Sequence, residues 1–362
     1  MEQRGIVAGI AVRLGITLFW GLVILIFLLL PRLHFYERNS ITVFAWSGIF
    51  SEEYIRKFEK ETGIKVYISY YASNEELLVK LRATGGKGYD LVVPSDYAVK
   101  KLIEDGFLKK LDKQKLNFMQ ELNPLLMGHA FDPRNDYAIP FVWELYLIGA
   151  TRSFLQKHKV TAQNAWDLIF KPQTMESDYR LIMVNDSIEA IAMATHYLFG
   201  DKTEITTQEK NAIQALLFNQ RPWVEAYSNV RSDYYLGTNN AMTAVAHSAE
   251  MWRALRDYTN IDFVVPRDTF VTIEHCAIPT TSTKDDLVYR FLNYFYTQES
   301  FKYHFSLFKS CPARRDVIDQ LDASPSQKDI MTSSEQVFFH YLFVRDLLSE
   351  KDKHNLWISV KI

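Results

Sequence analysis

Two cysteines, Cys276 and Cys311, are all that the 362 residues contain, and they sit in no metal-binding or redox spacing. They identify no compartment, and their spacing leaves open whether they pair. Charge is also scarce in net terms: 41 basic and 43 acidic side chains leave −2, with no compact Lys/Arg run. That balance argues against a nucleic-acid binder. Nine histidines, among them His247, His275 and His304, fall into no HExxH or comparable ligand spacing, so no metal is expected. No Gly-x-Ser-x-Gly elbow or Cys-His signature marks a nucleophile. The stretch Ala83-Thr84-Gly85-Gly86-Lys87-Gly88 precedes a strand instead of linking a strand to a helix, so it reads as a turn and not a phosphate cradle. No cofactor is called for, and neither an internal repeat nor a low-complexity tract is present.

What the chain has is apolar content of 48% and aromatic content of 14%, enough for two ordinary domains with real cores. Leu14 to Leu30 carries no charge and is built from Leu, Ile, Phe, Val and Trp, with Arg4 and Arg13 before it. Seventeen residues sit at the lower limit for spanning a bilayer. Pro31-Arg32-Leu33-His34 follows, with no small-x-small cleavage site and no cysteine for lipid attachment. The expectation is an uncleaved signal-anchor over residues 1–40 with the remainder exported; a cleaved signal peptide with an atypical site is the rival. Four of the basic and two of the acidic side chains lie in residues 1–40, which leaves 37 basic and 41 acidic beyond them. That excess of acid faintly favours a cationic solute.

From Ile41 the pattern alternates. Ile41 to Trp46 reads as a strand, Ser51-Glu52-Glu53 opens a helix ending at Thr62-Gly63, and Lys65 to Tyr71 is a second strand. Ser73-Asn74 caps a helix broken by Gly85-Gly86. Leu91 to Val93 is a short apolar strand ended by Pro94, followed by a helix to Asp105-Gly106. This order predicts a mostly parallel twisted sheet with helices on both faces. Tyr137 to Ile148 is a long extended aromatic stretch suited to crossing between lobes. Arg180 to Val184 and Met242 to Ala246 are strands, with helices over Asp186 to Phe199 and Gln208 to Phe218. Asp262 to Pro266 and Thr272 to Ile278 are expected to return to the first sheet. Asp285 to Thr297 and Ser334 to Ser349 read as amphipathic helices.

Ligands in open α/β sheets sit outside the carboxyl ends of the strands. Three predicted strands end in chemistry: Trp46-Ser47-Gly48, Ser95-Asp96-Tyr97, and Asn185-Asp186-Ser187-Ile188-Glu189. Asp186 alone reads as a helix N-cap, and Glu189 three residues on could complete a capping pair. Beside aromatic strand ends the two carboxylates also suit an ammonium, with rings covering its methylenes. A glycosidase needs acids on opposite sides of the scissile bond, and these two project from one helix face.

Phe44-Ala45-Trp46-Ser47, Lys60 to Val66, Ser73-Asn74-Glu75, Tyr89 to Tyr97, Phe131-Asp132-Pro133-Arg134-Asn135-Asp136-Tyr137, Ile139-Pro140 with Trp143, Ala165-Trp166-Asp167-Leu168 and Ala277-Ile278-Pro279 form an ordered set. In that order, from about residue 41 to 300, the chain resembles the periplasmic spermidine/putrescine-binding proteins of bacterial polyamine ABC importers. The resemblance implies an α/β, two-lobed periplasmic-binding-protein fold of type II with a hinge, and the apolar run of Leu14 to Leu30 adds the expectation of one N-terminal transmembrane helix before it. It implies lobes over 41–141 plus 265–308 and 142–264 plus 309–362. By the same resemblance Trp46 is an aromatic wall, Ser47 its polar neighbour, and Ser95 and Tyr97 strand-end contacts. Asp186 and Glu189 would grip amines, with Asp96 and Glu274 adding acid. Two places depart: Gly48 stands where the family tends to carry an acid, and Ala246-His247-Ser248 stands where a Trp with a nearby acid is expected. Tyr234, Tyr235 and Glu250 are the candidates to stand in.

The expected protein is a periplasmic monomer, tethered to the inner membrane and not an enzyme. It takes a polyamine between its lobes and delivers it to an ABC permease and its ATPase. Two alternatives accompany that reading. One is an anchored sensor for another small solute. The other is an exported carboxylate-dependent hydrolase, which needs a second acid such as Asp96 or Glu274 facing Asp186.

Overall fold

The computed structural model describes Arg13, residues 15–25 and residues 39–361. Residues 1–40 and 41–362 form two compact units. In the first, residues 15–25 are helical, with Ile16, Leu18, Phe19 and Trp20 exposed. Among the described residues no helix is long and apolar enough to cross a membrane, so the predicted span over Leu14 to Leu30 is not supported there. Leu14 and residues 26–30 of that span lie outside the described residues.

From Ser40 the chain forms β1 (Ser40–Trp46), α1 (Glu52–Thr62), β2 (Lys65–Tyr71), α2 (Asn74–Thr84), β3 (Leu91–Val92) and α3 (Asp96–Glu104). Local chemistry sets these boundaries. The Ser51 and Ser73 hydroxyls accept the backbone N–H groups of Tyr54 and Glu76, and Gly63 and Gly85 end the two helices at φ of 70° and 59°. β1 and β3 are parallel, as the alternating pattern requires.

The rest of the sheet is organised by β4 (Ala138–Thr151). Its start is fixed by Asp132, whose carboxylate accepts the backbone N–H groups of Asp136, Tyr137 and Ala138 at 2.8–3.0 Å. Residues 138–145 of β4 pair antiparallel with β9 (Phe270–Ala277), which also pairs with β3. Residues 146–150 pair antiparallel with β7 (Thr243–His247), which runs parallel to β5 (Leu181–Met183), itself parallel to β6 (Val224–Tyr227). The order is therefore β2-β1-β3-β9-β4-β7-β5-β6, with one strand shared by two halves.

Two expectations need correction. β8 (Ile261–Val264) does not return to the first sheet; it pairs with Ile148–Thr151, at the far end of β4. An alternating apolar run encodes burial but not partner, and here β8 and β9 follow one another along the same long strand. Ser334 to Ser349 is not one helix. Glu335–Phe338 is a single turn, and β11 (Leu342–Phe343) then pairs parallel with Phe270–Val271. Phe338 and Val344 enter two different apolar clusters, which a continuous helix face could not supply. The last helix instead covers Glu350–Lys361, and β10 (Cys311–Pro312) pairs with Val142–Trp143. Cys276 and Cys311 are both buried free thiols.

Candidate functional site

β3 delivers Ser95 to the edge of a polar junction. The Ser95 hydroxyl donates to Glu274 Oε1 at 2.7 Å and accepts from Asn74 Nδ2 at 2.9 Å. The backbone continues the contact, because Ser95 and Glu274 form an antiparallel bridge. Asn74 Nδ2 also donates to the Tyr97 hydroxyl at 2.8 Å. Tyr97 in turn donates to Asp186 Oδ2 at 3.1 Å. Asp186 caps α4 (Ser187–Phe199): its Oδ1 accepts Ile188 N and Glu189 N at 2.9 and 3.1 Å. Next to it the Ser187 hydroxyl donates to Glu75 Oε1.

A cavity of about 220 Å³ opens beside this junction. Trp46, Ser47, Ser95, Glu189 and Glu274 line it, so five of the eight predicted residues converge. The Trp46 ring packs against Tyr71 at 4.7 Å between centroids. Gly48 also lines the cavity at φ 85°, and a Cβ there would meet the Phe308 ring at 3.6 Å. That backbone favours glycine, so the acid missing from this loop has a conformational reason.

Further lining residues come from β4, β7 and α5 (Ser248–Asp257). Glu144 accepts the Ser310 hydroxyl at 2.8 Å and Ala249 N at 3.3 Å. Glu250 is buried, and its Oε1 has no hydrogen-bond partner. His247 stacks obliquely on Tyr146, with centroids 4.4 Å apart. Among the described residues Arg253 is the one Lys or Arg on the wall, and it donates to Phe308 O at 2.8 Å. Sequence reasoning missed Glu144, which sits inside an apolar run; Glu250 was reached only as a stand-in. Tyr234 and Tyr235 are not on the cavity wall.

The electrostatics are those of acid kept from water, with the charge of Arg253 offsetting only part of the effect at Glu250. Burial pushes Glu274 up to about 8 and Glu250 up to about 7. Burial, then the charge of Asp186, holds Glu189 well above the usual carboxylate range. Asp186 is raised by burial and then by Glu75. Burial lowers His247, which favours the neutral ring. Among the described residues no three His, Cys, Asp or Glu side chains converge closely enough to hold a metal ion.

Asp96 and Tyr97 line a different and larger cavity, of about 590 Å³, together with Lys100, Lys101, Phe131 and Arg345. Asp96 is buried with both carboxylate oxygens unpartnered, and burial raises it to about 8. The larger volume is walled by side chains of both charges, three of them Lys or Arg. The smaller one gathers the strand ends and four glutamates, which makes it the better candidate site.

Residues 53–332 match the family of bacterial extracellular solute-binding proteins. The spermidine/putrescine-binding periplasmic protein of Escherichia coli K12 is 30% identical over 264 residues, covering 72% of this chain and 74% of that protein. The putrescine/cadaverine-binding protein of Pseudomonas aeruginosa is 28% identical over 264 residues, covering 71% and 74%. A solved structure titled putative spermidine/putrescine ABC transporter from Listeria monocytogenes superposes with a TM-score of 0.80 at 24% identity. It covers 90% of this chain and 99% of that one, which establishes the α/β periplasmic-binding-protein fold.

Proposed function

The chain belongs to the bacterial extracellular solute-binding protein family, and from that footing we propose that it captures a polyamine and delivers it to an ABC importer. The observation that supports this reading most is the wall of the 220 Å³ cavity, where among the described residues Glu144, Glu189, Glu250 and Glu274 meet only Arg253 as an opposing charged side chain. Buried carboxylates need a cation, and ammonium groups on an apolar backbone supply one while Trp46 covers the methylenes. Binding of this kind involves no covalent step.

Capture takes place between two lobes, 41–141 plus 265–308 and 142–264 plus 309–362, with the shared strand β4 and the β8–β9 segment as the hinge-bearing crossings. Trp46, Ser47, Ser95, Glu189 and Glu274 contact the ligand; Tyr97 and Asp186 support them from behind. Export to the periplasm and tethering through the apolar segment of residues 1–40 belong to the same proposal, as does a monomeric state.

A thermal-shift panel tests the reading. Putrescine or spermidine at about a hundredfold its dissociation constant adds roughly 2.7 kcal/mol to stability, a readily measured rise in Tm. No shift with either amine at millimolar concentration sinks the proposal. For the tether, residues 41–362 should stay with washed intact spheroplasts and be digested by protease added outside; their release into the soluble fraction before protease is added would refute it.

A further inference from the structure

Glu144 lies between two groups of acid. On one side, β4 and β9 pair Val142 with Glu274 and Glu144 with Thr272, so Glu144 and Glu274 are diagonal neighbours on one sheet face. On the other side, β7 pairs His247 with Tyr146 and runs into α5, where Ala249 N donates to Glu144 at 3.3 Å and brings Glu250 alongside. The Ser310 hydroxyl holds the second Glu144 oxygen at 2.8 Å. Glu144 is therefore fixed in orientation at mid-cavity. Beyond it in either direction stand oxygens that make no hydrogen bond among the described residues, Glu250 Oε1 on one side and Glu274 Oε2 and Glu189 Oε2 on the other, with Ser232, Trp46 and Tyr146 as the donor side chains beside those carboxylates. Glu250 and Glu189 are only 4% and 5% exposed. Each carboxylate also acts on the next, Glu274 on Glu189 and Glu144 on both Glu274 and Glu250.

We propose that Glu144 is an inner ammonium subsite, with Glu189 and Glu274 taking one terminal ammonium and Glu250 the other, so that the cleft selects linear polyamines with an inner nitrogen over diamines. The inference rests on the polyamine reading and narrows it. A diamine occupying both ends leaves the half-buried Glu144, held by Ser310 and Ala249 N, facing methylenes with no counter-charge, and such a charge is costly to cover. A triamine places a third ammonium against it. The same row assigns Glu250 the role that the strand end at Ala246-His247-Ser248 lacks the acid to play.

Isothermal titration of the purified full-length protein with putrescine and with spermidine tests this, using the wild type, Glu144→Gln and Glu250→Gln. The wild type should bind spermidine more tightly. Glu144→Gln should lose about tenfold or more for spermidine and much less for putrescine. Glu250→Gln should weaken both amines. Equal losses for the two amines in Glu144→Gln, or a wild type without preference, overturn the inference while leaving the polyamine reading intact. A wild type that binds neither amine overturns both. If Glu144→Gln does not fold, titration of the wild type with 1,8-diaminooctane, a diamine of spermidine's length without the inner nitrogen, replaces it. It should bind about tenfold or more weakly than spermidine, and equal affinity overturns the inner subsite.

Discussion

The hydroxyl of Tyr97 donates to Asp186 Oδ2 at 3.1 Å, which ties the first turn of α3 to the cap of α4. Asp186 has therefore committed both oxygens, one to Tyr97 and one to the helix N-terminus. It organises the site from behind, while Glu189, three residues on, faces the cavity.

Asp186→Ala should accordingly act first on stability. Loss of the cap costs about 1 kcal/mol, and a Tyr97 hydroxyl deprived of its acceptor adds roughly 1 kcal/mol or more. Glu189→Gln should not lower the melting temperature and should weaken polyamine binding by about tenfold. Denaturant unfolding paired with calorimetric titration separates the two; a ligand-only defect in Asp186→Ala would contradict the assignment.

Trp46→Ala should weaken polyamine affinity by on the order of 1 kcal/mol, through lost cation–π contact and lost cover of the methylenes. The ring is half-buried and leans on Tyr71, so the stability loss should be modest. Trp46→Phe should recover part of the affinity. Titration of both variants at one salt concentration is the measurement, and equal affinity in Trp46→Ala would place the ligand elsewhere.

Affinity should rise with pH. Glu274 and Glu250 are raised to about 8 and about 7 in the empty cavity, and a bound ammonium favours their ionised forms. Binding therefore releases protons, and affinity falls as pH drops through 8 and 7. The other groups facing them are Glu144, Glu189, Arg253, Asp96 on the Glu274 side, Asp233 on the Glu250 side, and a His247 whose burial favours the neutral ring. Dissociation constants at pH 6, 7 and 8.5 should decrease in that order; a flat profile would mean that these carboxylates do not meet the ligand.

Asp96 should give the opposite pH trend in the stability of the ligand-free protein. Its folded value of about 8 lies above the ordinary carboxylate value, so the native state holds the proton more firmly. The resulting stabilisation is full below about pH 4 and is lost as pH rises through 8. Asp96→Asn should stabilise the protein at pH 8.5, on the order of 1–3 kcal/mol, and much less at pH 5. Melting curves at the two pH values decide it, and a uniform shift would show that Asp96 is not a titrating buried acid.

The early α/β order was legible because its signals are local. Ser51, Ser73, Gly63 and Gly85 cap or end helices through bonds spanning a few residues, and Asp186 was readable as a cap for the same reason. Asp262 to Pro266 and Ser334 to Ser349 were misassigned because their apolar residues specify burial without naming a partner strand. Among the candidate residues, Ser95 and Asp96 are adjacent in sequence yet line different cavities. The rotation of α3 against β9 decides that, and no local motif encodes it.

The sequence by itself determined the order of the early strands and helices, the caps that bound them, and a supply of acid and aromatic side chains at the strand ends. The tertiary structure alone decided which of those side chains share a cavity. Glu274 reaches Ser95 across 179 residues of chain and Ala249 reaches Glu144 across 105. Convergence over such separations depends on the antiparallel register of β4 with β9 and β7, where a shift of one residue would turn Glu144 and Glu274 to the opposite face.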